Sequence, residues 1–446
     1  MLAASIILGL TTAAVTPVLA LENEFHGMFS ARYINSNFNR TETTDYGPGD
    51  GTYDPSGKNR KQYTANFIEQ RARLQYIAKA NSDLKLVTHF ELDYAYWGDK
   101  SYNIGRNSGG AIGADTVNFE TKSIYLDANP FKNINLKLGM MPNNDAFKGM
   151  LFDSDMAGAL VSSSYGKFSP SIGYFRFHDT GATKDKVLGH LTNDLFMLDG
   201  KFEVAKDIKA GAAYYFFRDN QAGTPNTDVK MHALGLNTEY SRGPLTLNGF
   251  VVYETGWNNT VVSKKTYVNS FAGNVGAKIK AGSGTARAEF LYVMGSDNGK
   301  NSFYAVDGEH GYYDNEMVIL GRDKNAYTTD NSMIFNAGNK GQGQIGTFLG
   351  YDLPVSAKLT TAANLGFAWI ARKNANTLVD AATNRMNGTN FLGTEINAEA
   401  TYTLIEGFTA GLRAGYVVLG GYYHNVALNG TPENPYDAKL IFKYSF

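Results

Sequence analysis

The chain has 446 residues, with 41 Lys and Arg against 42 Asp and Glu, and no Cys. A net charge of −1 gives no bulk attraction for nucleic acid, and the lack of Cys excludes disulfides, thiol nucleophiles and thiolate metal sites. Mean hydropathy is −0.29 and no apolar run past the N-terminus reaches the roughly 20 residues of a spanning helix, so a bundle of membrane helices is excluded.

Residues 2–20, LAASIILGLTTAAVTPVLA, form an apolar stretch broken by Pro17 and closed by Val18-Leu19-Ala20. Small residues at these last positions suit signal peptidase. The expected division is a signal peptide over 1–20 and a single unit over 21–446, although no Lys or Arg precedes the apolar run.

From Phe25 onward the dominant pattern has a period of two, the signature of strands with two different faces. In the segment Tyr63 to Lys79, Glu69, Arg71, Arg73 and Gln75 alternate with Ala72, Leu74, Tyr76 and Ala78. After a short turn at Asn81-Ser82-Asp83, Lys85, His89, Glu91 and Asp93 alternate with Leu86, Phe90, Leu92 and Tyr94. Later, Arg287 and Glu289 alternate with Ala288, Phe290 and Tyr292, and Arg413 with Leu412 and Ala414. These segments run to about 10–15 residues, longer than the usual five or six of soluble strands. Connections alternate between short turns, such as Lys206-Asp207 and Arg242-Gly243, and long loops, such as 39–62, 98–116 and 295–342. Short turns on one side and long loops on the other are the habit of outer-membrane barrels. The expected fold is all-β: a transmembrane antiparallel β-barrel of about 18 strands, with 16 as the alternative because the long loop 295–342 obscures one hairpin. High aromatic content, 28 Tyr and 27 Phe, supplies the rings such a barrel needs where lipid meets water.

Strands facing lipid cannot leave an open edge, and 16 to 18 of them enclose a bore too wide for wall side chains alone to fill. The charged faces named above point to a wet lumen lined by Glu69, His89, Glu91, Asp93, Arg287, Glu289 and Arg413, and no stretch stands apart as a plug domain. After the fifth strand, Pro142 to Met156 carries apolar anchors Phe147, Met150, Leu151, Phe152 and Met156 that an outer loop in water would not need. An inward-folded constriction loop is expected there, with Asp145, Asp153 and Asp155 opposing Arg71, Arg73, Lys85 and Arg176 across the pore. Opposed charges at a narrowing tune ion passage.

The last residues, PYDAKLIFKYSF, place Tyr436, Ala438, Leu440, Phe442, Tyr444 and Phe446 on one face. With the alternating strands, the leader, the loop after strand five and the segments EQRARLQY (69–76) and FDSDMAGALV (152–161), the chain resembles the bacterial outer-membrane porins of the 16- to 18-stranded kind, including alginate-exporter-like members. The resemblance implies residence in the Gram-negative outer membrane among lipid and lipopolysaccharide, and passive diffusion of small hydrophilic solutes, often through homotrimers. It also implies that the strand ending in Tyr444 and Phe446 is an assembly signal read by the barrel assembly machinery.

Enzyme motifs are missing. The seven His are scattered without HExxH, no GxSxG or P-loop occurs, and no cofactor or metal is expected. His89 with Glu91 and Asp93 reads as polar lining in preference to a cation site. The Gly- and Asp-rich stretches Asp45–Asp54 and Asp307–Asp314 lack EF-hand spacing. Two alternatives to a general diffusion channel remain. One is a substrate-specific channel or exporter for an anionic polymer, using Arg71, Arg73, Arg176, Arg287 and Arg413 as a ladder. The other is a barrel scaffold around a partner such as a cytochrome.

Overall fold

The computed structural model describes residues 22–38, 64–98, 110–113, 119–184, 186–220, 228–258, 266–298, 301–305, 313–324, 327, 330–334, 336–381, 383–426 and 432–446. The expected leader, the first long loop over 39–62 and most of Asp307–Asp314 lie outside these residues. So does the side chain of Asp93, although its backbone is in a strand.

Eighteen antiparallel strands form one closed sheet. They are β1 (Glu22–Ser36), β2 (Ala65–Asn81), β3 (Leu84–Tyr96), β4 (Glu120–Phe131), β5 (Ile134–Asn144), β6 (Asp153–Ser163), β7 (Phe168–Asp179), β8 (Thr192–Ala205) and β9 (Ile208–Asp219), followed by β10 (Val229–Arg242), β11 (Leu245–Asn258), β12 (Thr266–Ala281), β13 (Gly284–Val293), β14 (Gln344–Pro354), β15 (Leu359–Trp369), β16 (Phe391–Ile405), β17 (Phe408–Leu419) and β18 (Tyr436–Ser445). Each pairs with its neighbours in sequence. β1 also pairs with β18, from Met28 opposite Ser445 to Ser36 opposite Asp437, so the sheet has no free edge. The stretch that obscured the strand count resolves into the β14–β15 hairpin.

Alternation sorts the side chains as expected. Outward positions carry Leu234 and Leu236 on β10 (60% and 59% exposed), Ile396 on β16 and Phe442 on β18. A soluble protein rarely exposes so continuous an apolar band, whereas a barrel in lipid requires one.

At the closing seam the backbones of Gly27 and Phe446 exchange both hydrogen bonds, at 2.9 and 3.0 Å. The Phe446 ring lies over Gly27, so closely that a Cβ on residue 27 would overlap it and the Arg73 carbonyl. Gly27 therefore makes room for the terminal ring. Replacement by Val is expected to displace Phe446 and slow closure. The check is the yield of the heat-modifiable, fast-migrating folded form on gels: a yield equal to that of the unaltered chain would contradict the seam.

Candidate functional site: the lumen and its loops

Two connections on the long-loop side bring chain against the inner wall. The first, residues 145–152 between β5 and β6, is shorter than the sequence suggested, because β5 continues to Asn144 and β6 begins at Asp153. Phe147 packs edge-on against Tyr215 of β9 (centroids 5.9 Å apart) and near Phe250 of β11 (5.7 Å), while Phe152 meets Tyr215 at 5.2 Å. Tyr215 also accepts the Ala146 N–H at 2.8 Å. The wall is cut to fit: a Cβ at Gly235 on β10 would collide with the Phe147 ring. Further across, the Lys148 ammonium pairs with Glu289 of β13.

Asp145 organises this loop from inside. Its carboxylate accepts backbone N–H groups of Phe147 (2.6 Å), Gly149 (3.1 Å), Leu151 (2.5 Å) and Phe152 (2.9 Å). One acceptor-only group thus satisfies four donors of a buried turn, a requirement set by the cost of leaving polar backbone unpaired in a dry place. Burial pushes the Asp145 carboxyl up to about 6, against the opposing pull of those N–H donors.

The second connection lies between β13 and β14. Met317, Val318, Ile319 and Leu320 are all at most 1% exposed. Glu395 on β16 accepts the N–H groups of Val318 (2.7 Å), Ile319 (3.0 Å) and Leu320 (2.7 Å), repeating the Asp145 device with a wall carboxylate. Met317 sits over Gly366 of β15, where a Cβ would strike its sulfur. Beyond it, Asp323 pairs with Arg413 of β17 (2.7 Å) and Lys439 of β18 (3.3 Å), and Asp330 with Lys439 (3.2 Å) and Arg32 of β1 (2.8 Å). The Tyr327 ring is clasped between the guanidiniums of Arg32 (3.6 Å to its centroid) and Arg71 (4.0 Å). The two connections meet at Tyr313, whose hydroxyl lies 3.5 Å from Lys148 and accepts a 2.7 Å bond from Asn274 of β12.

Several expected site residues therefore sit elsewhere or do other work. Beyond the Met140–Ala157 pair, β5 and β6 pair only with each other, so Asp153 and Asp155 stand on a hairpin extension past the wall ladders, where Asp155 meets Lys122 at 2.6 Å. Arg176 is outward, on the face of the exposed Tyr174 and bonded to Asp194 of β8 at 2.8 Å. For Arg176 a one-residue phase explains the difference, since a single-step shift sends every side chain of a strand to the other face. Asp145 does lie at the inward loop, but its charge is spent on its own backbone. Of the bases expected to face these acids, Arg71 and Arg73 pair with Glu91 of β3, and Lys85 with Asp127 of β4 at 3.3 Å.

Arg73, Lys85, His89 and Glu91 lie on inward faces of β2 and β3, as do Arg287 and Glu289 on β13. Arg287 is tied bidentately to Asp352 of β14 (2.7 and 2.9 Å) and to Asn364 (2.8 Å). Glu69 and Arg413 also point inward but are 0% and 3% exposed, covered by the second connection and its partners in place of water. Arg32, Lys439 and Glu395 were missed. The available signal was two basic residues on the inward phase of the seam strands β1 and β18, an acid on the inward phase of β16, and lumen-facing glycines at 235 and 366. Below the loops, toward the short turns, a cavity of about 820 Å³ is lined by Lys201, Lys209, Glu239, Lys278 and Glu316, among others. Among the described residues, no group of three or more His, Asp or Glu is arranged to hold a metal ion.

The closed sheet, apolar exterior and hydrophilic bore define the architecture of a bacterial outer-membrane porin. No protein-family model matches the chain, nor does any curated protein sequence. Solved structures do. Pseudomonas aeruginosa OccK9 (OpdG) aligns over 95% of this chain and 98% of its own, with a TM-score of 0.57 at 12% identity. OccK2 (OpdF) from the same organism, in complex with glucuronate, aligns over 95% and 98% (TM-score 0.55, 13% identity). Acinetobacter baumannii OccAB4 aligns over 97% and 100% (TM-score 0.54, 12% identity). This chain thus shares the 18-stranded fold of the Occ/Opd outer-membrane porins.

Two predictions concern the loop anchors. Asp330→Ala leaves Arg32 and Lys439 short of a buried counter-charge, a loss of about 3–5 kcal/mol for such pairs. The barrel should persist while the β13–β14 connection becomes open to limited proteolysis in detergent; equal resistance would contradict the anchoring. For Asp145, a folded value near 6 lies above the 3.8 of an exposed Asp. Its contribution is therefore complete below the lower value and lost as pH rises through the higher one. Protease sensitivity at 145–152 should rise across about pH 6, and Asp145→Asn should abolish that step.

Proposed function

We propose that the chain is a selective outer-membrane porin, passing small hydrophilic solutes passively through a bore narrowed by two inward connections. The observation that carries this reading is the span of residues 145–152 from β5–β6 to β9, β11 and β13, ending in the Lys148–Glu289 pair. A narrowing bordered by one acid and one base exerts a local field on passing ions, which tunes selectivity. A wide general diffusion channel fits less well, because two sets of fully buried loop side chains, around Phe147 and around Met317–Leu320, occupy space that such a bore leaves to water.

The solutes are small. The cavity beneath the loops has room for a molecule of monosaccharide size, and its mixture of Lys201, Lys209 and Lys278 with Glu239 and Glu316 suits polar or singly charged compounds. The glucuronate held by OccK2 makes sugar acids a sensible first probe. The polymer-ladder alternative loses Arg176 to the outside wall, and Arg287 and Arg413 to bound acids. Signal cleavage after Ala20, assembly through the terminal strand and a trimeric state remain part of the proposal by analogy with porins.

The test is liposome swelling with purified protein, comparing monosaccharides, uronates and longer oligosaccharides. Entry of monosaccharide-sized solutes with exclusion of oligosaccharides is expected; equal entry of both would restore the general diffusion reading, and entry of neither would refute a channel. In planar bilayers, Lys148→Glu should move the reversal potential toward cation preference across a KCl gradient. An unchanged potential would remove residues 145–152 from the ion path.

A further inference from the structure

Among the described strand positions, the outward face is almost wholly apolar, aromatic or small, and near its long-loop end Arg176, Arg218 and Lys230 fall in one sector. Following the ladder pairs sideways gives a single row: Arg176 on β7 stands opposite Asp194 on β8, Asp194 opposite Arg218 on β9, Arg218 opposite Lys230 on β10, and Lys230 opposite Trp257 on β11. Every member lies within four residues of the long-loop end of its strand. On β10 the row stands just above the exposed Leu234 and Leu236, at the upper edge of the apolar band. With strands about 4.8 Å apart, Arg176 and Lys230 are separated by roughly 14 Å.

The row carries three cations and one acid. Asp194 is taken by Arg176 at 2.8 Å. Lys230 reaches Asp228 at 2.8 Å and lies 5.4 Å from the Trp257 ring centroid. Arg218 is exposed and forms no ion pair among the described residues. Arg218 and Lys230 are like charges directly opposite on paired strands, an arrangement that destabilises a sheet unless an anion lies between them. Tyr174 and Trp257, beside the row, are of the type that seats at the level of lipid headgroups.

We propose that this row is a binding site for the phosphate of an outer-leaflet glycolipid headgroup, held between Arg218 and Lys230 with its acyl chains lying down the Leu234–Leu236 face. Arg supplies a planar two-donor fork matched to phosphate oxygens, and Lys a point charge beside it. The lipid source is favoured over free phosphate because the row is continuous with the apolar band, and over a second copy of this chain because the facing row of a symmetry-related copy would repeat the same positive charge. The site rests on the barrel spanning the outer membrane, so folding and channel activity are read separately from lipid binding.

The experiment is native mass spectrometry of the detergent-purified full chain titrated with bisphosphorylated lipid A, with lipid A stripped of phosphate, and with inorganic phosphate as competitor. Arg218→Ala with Lys230→Ala should keep the heat-modifiable barrel and its conductance while weakening bisphosphorylated lipid A roughly thirtyfold. The single variants should fall between, and Leu236→Ala should retain the phosphate preference. Equal affinity of the double variant and the unaltered chain, equal binding of the phosphate-free lipid, or displacement by millimolar inorganic phosphate would each overturn the proposal. So would loss of a dimer in the double variant without change in lipid binding, which would make the row a contact between copies.

Discussion

The fold depends on backbone hydrogen bonding in a medium that supplies none. In hydrocarbon, every unpaired N–H or C=O costs several kcal/mol, so a sheet facing lipid must close. The β1–β18 ladder performs that closure, and the terminal Phe446 over Gly27 finishes it at the short-turn end. Once closed, the sheet has two faces in two solvents, and the period-two pattern follows: Leu234 and Leu236 meet the outside, Asn237 and Glu239 the inside.

A bore made by 18 strands is too wide to be filled by wall side chains alone. Two connections fold against the wall, and each brings its own backbone polar groups into a drier place. The solution is the same in both. A carboxylate gathers successive N–H groups: Asp145 from within the first connection, Glu395 from the wall beneath the second. Apolar side chains then lie over positions kept small, Phe147 over Gly235 and Met317 over Gly366. The charged residues at the seam serve the second connection more than the water. Arg32, Arg413 and Lys439 hold Asp323 and Asp330, and their near-complete burial makes them anchors, since a buried ion left unpaired is costly.

The barrel was legible in the sequence because it is written redundantly: each strand repeats the same alternation, and long and short connections take turns. That Phe147, Met150 and Leu151 are buried was legible for a similar reason, since they are apolar where a loop in water has no use for them. Which face Arg176 takes was not legible. Near a strand end the pattern runs out within two or three residues, and a single step of phase reverses inside and outside. Nor was the purpose of Glu69 and Arg413 visible, because a charge facing water and a charge facing a buried loop anchor look alike in one dimension. The loop that reaches them begins more than a hundred positions away from Glu69.

The account stands on the separation of a lipid face from a water face along each strand. Because the chain has no Cys, single cysteines at Leu234, Leu236, Asn237 and Glu239 in the barrel reconstituted in liposomes test it directly. A small water-soluble maleimide should label positions 237 and 239 rapidly and positions 234 and 236 hardly at all, with a lipid-soluble thiol reagent giving the reverse. Uniform labelling, or fast aqueous labelling at 234 and 236, would contradict a barrel with an oily exterior and a wet bore.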